Sequence, residues 1–294
     1  MKRFAVILTV ICAWLGCLGA QSYKMTAYKG KVPDAYHFWL VTPTDTAGPK
    51  PVIIFLHGAS LCGNDLERVK RYGTLDAIER GREIDAYVIA PQNPGGSWSP
   101  RKINSIYRWV KENHDVDSTR VYVIGMSLGG YGTADYAATY PDEVAAAIAV
   151  CGGATVRDLS GLARLPFWLV HGTADRAVNV QHSDRISAAV KQSADSVSRI
   201  HYDRVPGMNH SQPARMFYMP QVYEWLFAHS LSDEGRPAAE PYHITVDKMR
   251  GAYNGLSSKG NYSASKKSSQ SKKRTRKKAT GSKKKATRSR SRKK

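Results

Sequence analysis

Apolar residues in this chain gather into short unbroken runs, separated by longer stretches in which they recur every three or four positions. The runs at 52–56 (VIIFL), 86–90 (AYVIA), 121–124 (VYVI), 145–150 and 167–170 (FWLV) have strand length and no polar alternation. That pattern predicts strands covered on both faces. Residues 36–41 and 199–205 add two further strands, the former alternating in polarity. Helical patterns lie at 65–80, 103–113, 131–140, 185–194 and 220–229; Ile106, Trp109 and Val110 share one side of the second, and Pro141 stops the third. Buried strands alternating with helices predict an α/β fold, with a mostly parallel central sheet flanked by helices.

One junction in this pattern carries chemistry. Gly125-Met126-Ser127-Leu128-Gly129 stands between the strand VYVI and a helix. A G-x-S-x-G in that context is a sharp strand-to-helix turn, which exposes the serine hydroxyl at the carboxyl edge of the sheet. The turn is so tight that the residues two before and two after the serine must be small. It also sets Ser127 at a helix N-terminus, where backbone N–H groups favour developing negative charge. A serine hydroxyl is a weak nucleophile at neutral pH, so a base is required, and a carboxylate to orient that base. After FWLV the chain reads His171-Gly172-Thr173-Ala174-Asp175, and after the strand at 199–205 it reads Pro206-Gly207-Met208-Asn209-His210. The order serine, acid, histidine is the one this type of fold uses, so Asp175 and His210 are the expected partners of Ser127. His171, His182 and His201 are read as packing, edge or surface residues.

An oxyanion needs two N–H donors in place before the reaction. The Leu128 amide is one candidate. The loop His57-Gly58-Ala59-Ser60 after VIIFL should supply the other, through Ala59 with Ser60 as competitor. The loop 93–100 (NPGGSWSP) also follows a strand end, so Trp98 is a candidate stacking surface for a sugar or aryl group, against the plainer reading of a packed tryptophan. Ser60 joins it as a candidate substrate-binding residue. No cap segment of forty or more residues interrupts the core.

HGAS, the stretch DSTRVYVIGMSLGGYGTADYAATYPDEVAAAIAVCGG, HGTADRAV and GMNH together resemble the α/β-hydrolase superfamily. The similarity is to its secreted branch of peptidases and carboxylesterases, related to polyhydroxyalkanoate depolymerases and to feruloyl and acetylxylan esterases. It spans residues 23–231. The resemblance implies acyl transfer through an acyl-enzyme on Ser127, with Asp175 and His210 matching the family's triad, and no cofactor. Two departures, Ala134 where an aromatic residue is frequent and Asn209 where glycine often precedes the histidine, bear on packing and substrate choice. Peptide-like acyl bonds remain an alternative to esters.

Charge divides the chain unevenly. All 24 acidic residues lie at or before Asp247, so the first 247 residues carry +1 and the last 47 carry +19. From residue 257 onward Ser, Lys, Arg, Thr, Gly and Ala dominate, a composition that cannot offset the entropy cost of ordering. A disordered tail at 257–294 is expected, joined by a linker at 232–256. Its basic runs would attract polyanions such as envelope polymers or nucleic acid. A polyanion-binding protein on a hydrolase scaffold is therefore the reading from a different class, and the complete serine, acid, histidine order argues against it.

At the other end, Lys2 and Arg3 precede an apolar run from Phe4 to Ala20, the pattern of a signal peptide ending at residue 20. A retained anchor and lipidation at Cys17 are the alternatives; bulky Trp14 makes the latter a poor match. Export to the periplasm, envelope or exterior is expected, with no transmembrane span after leader cleavage. Beyond the leader, Cys62 and Cys151 remain, and an oxidising compartment would permit either a disulfide or two partly buried thiols. The absence of GxGxxG, a P-loop and spaced Cys/His clusters leaves nucleotide and zinc binding without a motif, so no metal is expected.

Overall fold

A computed structural model describes residues 23–43, 47–193, 195, 197 and 199–258. The leader, most of the basic tail and the Cys17 site lie outside them. Among the described residues, no helix is long and apolar enough to cross a membrane.

Eight strands form one sheet: β1 (Tyr23–Tyr28), β2 (His37–Pro43), β3 (Lys50–Leu56), β4 (Tyr87–Gln92), β5 (Val116–Met126), β6 (Ala146–Val150), β7 (Phe167–Gly172) and β8 (Ile200–Val205), in the order β1-β2-β4-β3-β5-β6-β7-β8. β2 pairs antiparallel with β1 and β4, and the remaining neighbours pair in parallel. The unbroken apolar runs follow from the covering of both faces. In β3, Ile53 and Phe55 join one core, while Val52, Ile54 and Leu56 join the other. The first core is closed by α1 (Thr74–Glu79) and α5 (Pro220–Phe227), the second by α2 (Pro100–Asn113), α3 (Leu128–Thr139) and α4 (Gln181–Ser193).

The structure departs from the sequence expectation in three places. β2, expected to alternate, is instead buried on both faces, Phe38 and Leu40 in one core and Trp39 and Val41 in the other, and the unexpected β1 lies beyond it as a half-exposed edge strand. The helix expected at 65–80 is two pieces, a 3-10 helix at Leu66–Arg71 and the short α1. Gly73 breaks it at φ 89°, with the Phe55 ring lying where a side chain would stand. Residues 232–256 are also more than a linker. Ile244, Met249 and Ala252 are buried in the core that α5 closes. The Trp225 indole donates to the Ala239 carbonyl at 2.9 Å, and the Ala239 amide donates to His229 Nε2 at 2.8 Å. Sparse apolar residues between Pro237 and Pro241 gave no periodicity to mark this strap.

Asp203 clasps the strap to β8. Its carboxylate accepts from the Trp168 indole at 3.0 Å, the Ile244 amide at 2.8 Å and His243 Nδ1 at 2.9 Å. The hydrogen bond to Asp203, helped by Glu240, raises the His243 pKa above its ordinary 6.5. Folding therefore favours the protonated ring, so this contribution is full below pH 6.5 and fades as pH rises through the raised value. The Tm difference between the wild type and His243→Gln should accordingly be larger at pH 5.5 than at pH about 8.5; a difference independent of pH contradicts the clasp.

Candidate active site

Ser127 links the last residue of β5 to the first of α3 at φ 59° and ψ −121°, a strained conformation for a residue with a side chain. Such a conformation costs about 1–3 kcal/mol and persists only where its surroundings determine it. Here they do. The Ser127 amide donates to the Val150 carbonyl at 2.8 Å. A Cβ on Gly129 would overlap the Leu56 carbonyl, one on Gly125 would overlap Gly129, and one on Gly130 would lie 2.6 Å from the Val150 carbonyl. These glycines let α3 descend onto the ends of β3 and β6.

Two loops at the same sheet edge reach Ser127. His210, beyond β8, sets Nε2 3.0 Å from Ser127 Oγ and Nδ1 2.6 Å from Asp175 Oδ2. Asp175, beyond β7, is fully buried at its side chain, and its other oxygen accepts from the Ala177 and Val178 amides at 2.8 and 2.9 Å. Burial opposes the Asp175 charge, yet the Val178 amide, His210 and the Ala177 amide outweigh it and hold the pKa below its usual value. Such a carboxylate stays ionised and keeps the proton of His210 on Nδ1, leaving Nε2 to accept from the serine.

Two further groups stand behind the acid. His171 packs its buried ring against this loop, with Nδ1 2.7 Å from Ser183 Oγ and Nε2 3.0 Å from the Val178 carbonyl and 3.3 Å from Asp175. Burial lowers its pKa. Cys151, at the end of β6, is buried and its thiol contacts Asp175; burial pushes its pKa up, so it is a neutral thiol. Cys62 and Cys151 are both free, which leaves the two-thiol reading. Among the described residues one trio, Cys151, Asp175 and His210, brings potential metal-ligand atoms within 4.8 Å of one another. Its closest approach is the hydrogen bond from His210 Nδ1 to Asp175.

Across Ser127 lies the loop after β3. His57 is buried, its Nε2 accepts from the Asn93 amide at 3.1 Å, and its Nδ1 therefore carries the proton donated to the Gly58 carbonyl at 2.8 Å. The Leu61 amide donates to the same carbonyl at 3.1 Å. In a trans peptide the N–H points opposite the C=O, so fixing the Gly58 carbonyl aims the Ala59 N–H the other way. Ala59, Ser60, Tyr72, Leu128, Tyr131 and His210 are among the residues lining a 640 Å³ cavity over Ser127. The Leu128 N–H, first in α3, has no intrahelical acceptor.

Trp98 is a correction. It is 3% exposed and absent from the cavity, because Gly132 leaves a slot that the indole fills, 2.7 Å from where a Cβ would stand. Its Nε1 donates to the His57 carbonyl at 3.3 Å and its ring meets Tyr36 and His57 edge-on. It supports the loop from beneath and offers no stacking surface. Ser60 does line the cavity.

Residues 51–194 match the family model described as the alpha/beta hydrolase fold. The chain has the α/β-hydrolase fold. Among curated relatives, the chain is 29% identical over 142 residues to poly(3-hydroxyalkanoate) depolymerase C of Paucimonas lemoignei, covering 42% of the chain and 33% of the relative. It is 26% identical to probable acetylxylan esterase A of Aspergillus flavus (45% and 47% covered) and 25% identical to feruloyl esterase B of Talaromyces stipitatus (50% and 45% covered). The matched part thus spans less than half the length of each. A solved thermostable esterase superposes with a TM-score of 0.57 at 22% identity, covering 71% of this chain and 64% of that one, and speaks for the fold alone.

His57 gives a direct check on the loop. Burial lowers its pKa to about 4. Nitrogen-detected NMR should find the ring neutral and protonated on Nδ1 down to that pH; titration near 6.5, or the opposite tautomer, contradicts the loop geometry.

Proposed function

We propose that this α/β-hydrolase is a serine ester hydrolase that acts through an acyl-enzyme on Ser127. The observation that carries the reading is the unbroken relay from Ser127 Oγ through His210 to Asp175, at 3.0 and 2.6 Å. His210 Nε2 removes the serine proton as Oγ attacks the substrate carbonyl, then returns it to the departing alcohol. Asp175 holds the ring in its tautomer and stabilises the imidazolium. Water enters by the same route and releases the acid. The Leu128 and Ala59 N–H groups meet the developing oxyanion, each worth about 3 kcal/mol in systems of this kind. The loop geometry favours Ala59 over Ser60 as the second donor.

Esters are favoured over amides by the three relatives named above, one a depolymerase of a hydroxyalkanoate polymer and two esterases. Acyl esters carried on plant or microbial polysaccharides are the substrate class this supports, with Ser60 at the cavity rim to meet polar groups. Export through the leader would bring the enzyme to such polymers. The +19 carried by the last 47 residues supports a separate, electrostatic attachment to polyanions.

On p-nitrophenyl acetate, Ser127→Ala should lower kcat by roughly 10⁶ and Asp175→Asn by roughly 10⁴. Wild-type turnover by the alanine variant would remove Ser127 from the mechanism. Deleting residues 259–294 should leave that turnover intact and abolish salt-sensitive retention on heparin; unchanged retention would assign polyanion binding to the folded domain.

A further inference from the structure

Tyr72 belongs to none of the sequence motifs, yet its hydroxyl lies at the cavity over Ser127. The phenol oxygen accepts from the Gly58 amide at 3.1 Å. A Cβ on Gly58 would stand 2.8 Å from this hydroxyl and 3.4 Å from Ser127 Cβ, so the phenol and the serine flank the same point of the loop backbone. Among the described residues, the phenol has no protein acceptor within hydrogen-bonding distance for its own proton. One hydroxyl carries one donor and two acceptor lone pairs. With an acceptor position occupied by Gly58, the proton is free to turn toward the cavity.

The support beneath Tyr72 is rigid. Gly73 is pinned against Phe55, its amide donates to Tyr218 Oη at 3.3 Å, and that hydroxyl donates to the buried Asp76 at 2.7 Å. The phenol is thereby held before any substrate arrives, which is the condition for a donor to act on a transition state.

We propose that Tyr72 is a third oxyanion donor, a side-chain hydroxyl that joins the Leu128 and Ala59 amides in meeting the negative oxygen of the tetrahedral intermediate. This rests on the ester-hydrolase reading and deepens it. The arrangement also explains why Gly58, itself a lining residue of the cavity, gives its N–H to Tyr72: that bond orients the phenol and leaves the next amide, Ala59, for the substrate.

Tyr72→Phe keeps the ring and removes the hydroxyl. Its kcat on p-nitrophenyl acetate should fall by about 10²-fold, the low end for losing one oxyanion donor, with KM within about twofold. A kcat within about twofold of the wild type overturns the proposal. Because the hydroxyl also braces Gly58, a second variant separates donation from bracing: 3,5-difluorotyrosine installed at position 72 alone, whose phenol ionises at lower pH than tyrosine. A phenolate still accepts from Gly58 but has no proton to give. The alkaline fall of kcat should therefore move to lower pH, and a profile superimposable on the wild type overturns the proposal. Ser127→Ala is run beside both. Activity surviving in that variant sinks the serine mechanism, whereas an inactive Ser127→Ala with an undiminished Tyr72→Phe sinks only the third donor.

Discussion

The strained turn at Ser127 is the constraint around which the rest is arranged. Its positive φ is unfavourable in isolation, and it is held by backbone packed against backbone: Gly129 on the Leu56 carbonyl, Gly130 on the Val150 carbonyl, and the Ser127 amide bonded to Val150. A single methyl group at either glycine would push α3 away from the sheet. Because α3 sits so close, the serine hydroxyl projects beyond the strand ends, and Leu128, whose N–H has no intrahelical acceptor, lines the same cavity. Exposure of the hydroxyl and its place beside a helix N-terminus are therefore two results of one local geometry.

The parallel sheet supplies the other half of the arrangement. β5, β7 and β8 run in the same direction, so the loops after them emerge at one edge. Residues 127, 175 and 210 converge there without any long connection. The support beneath these loops is polar and buried: the Val178 and Ala177 amides on Asp175, His171 behind it, and His57 holding the Gly58 carbonyl. Asp175, His171 and His57 each meet a partner, and together they fix orientations that a water-filled loop would leave loose.

Much of this was legible in the sequence, for identifiable reasons. Runs such as VIIFL and VYVI betray strands because both faces are covered, and Ser127, Asp175 and His210 follow strand ends in a recognisable order. Trp98 was misjudged because a tryptophan in a glycine-rich loop looks exposed; the slot that hides it is made by Gly132, in a different element. The strap at 232–256 has three buried residues too far apart to show a period. Tyr72 was invisible as part of the site because its relevance comes from a contact across the fold, with Gly58; Cys151 follows a strand end at the site's edge, but only its contact across the fold ties it to Asp175. Sequence periodicity reports which face of an element is buried; it does not report which side chains from different elements meet.

The central claim, that one activated serine at the turn performs the chemistry, is tested most directly by covalent capture. A fluorophosphonate reacts with a serine only when a neighbouring base activates it, so digestion and mass spectrometry of the treated protein should find one adduct, on Ser127, with esterase activity lost in proportion to labelling. Adduct on another residue, or full activity in protein whose Ser127 is completely modified, would contradict the account.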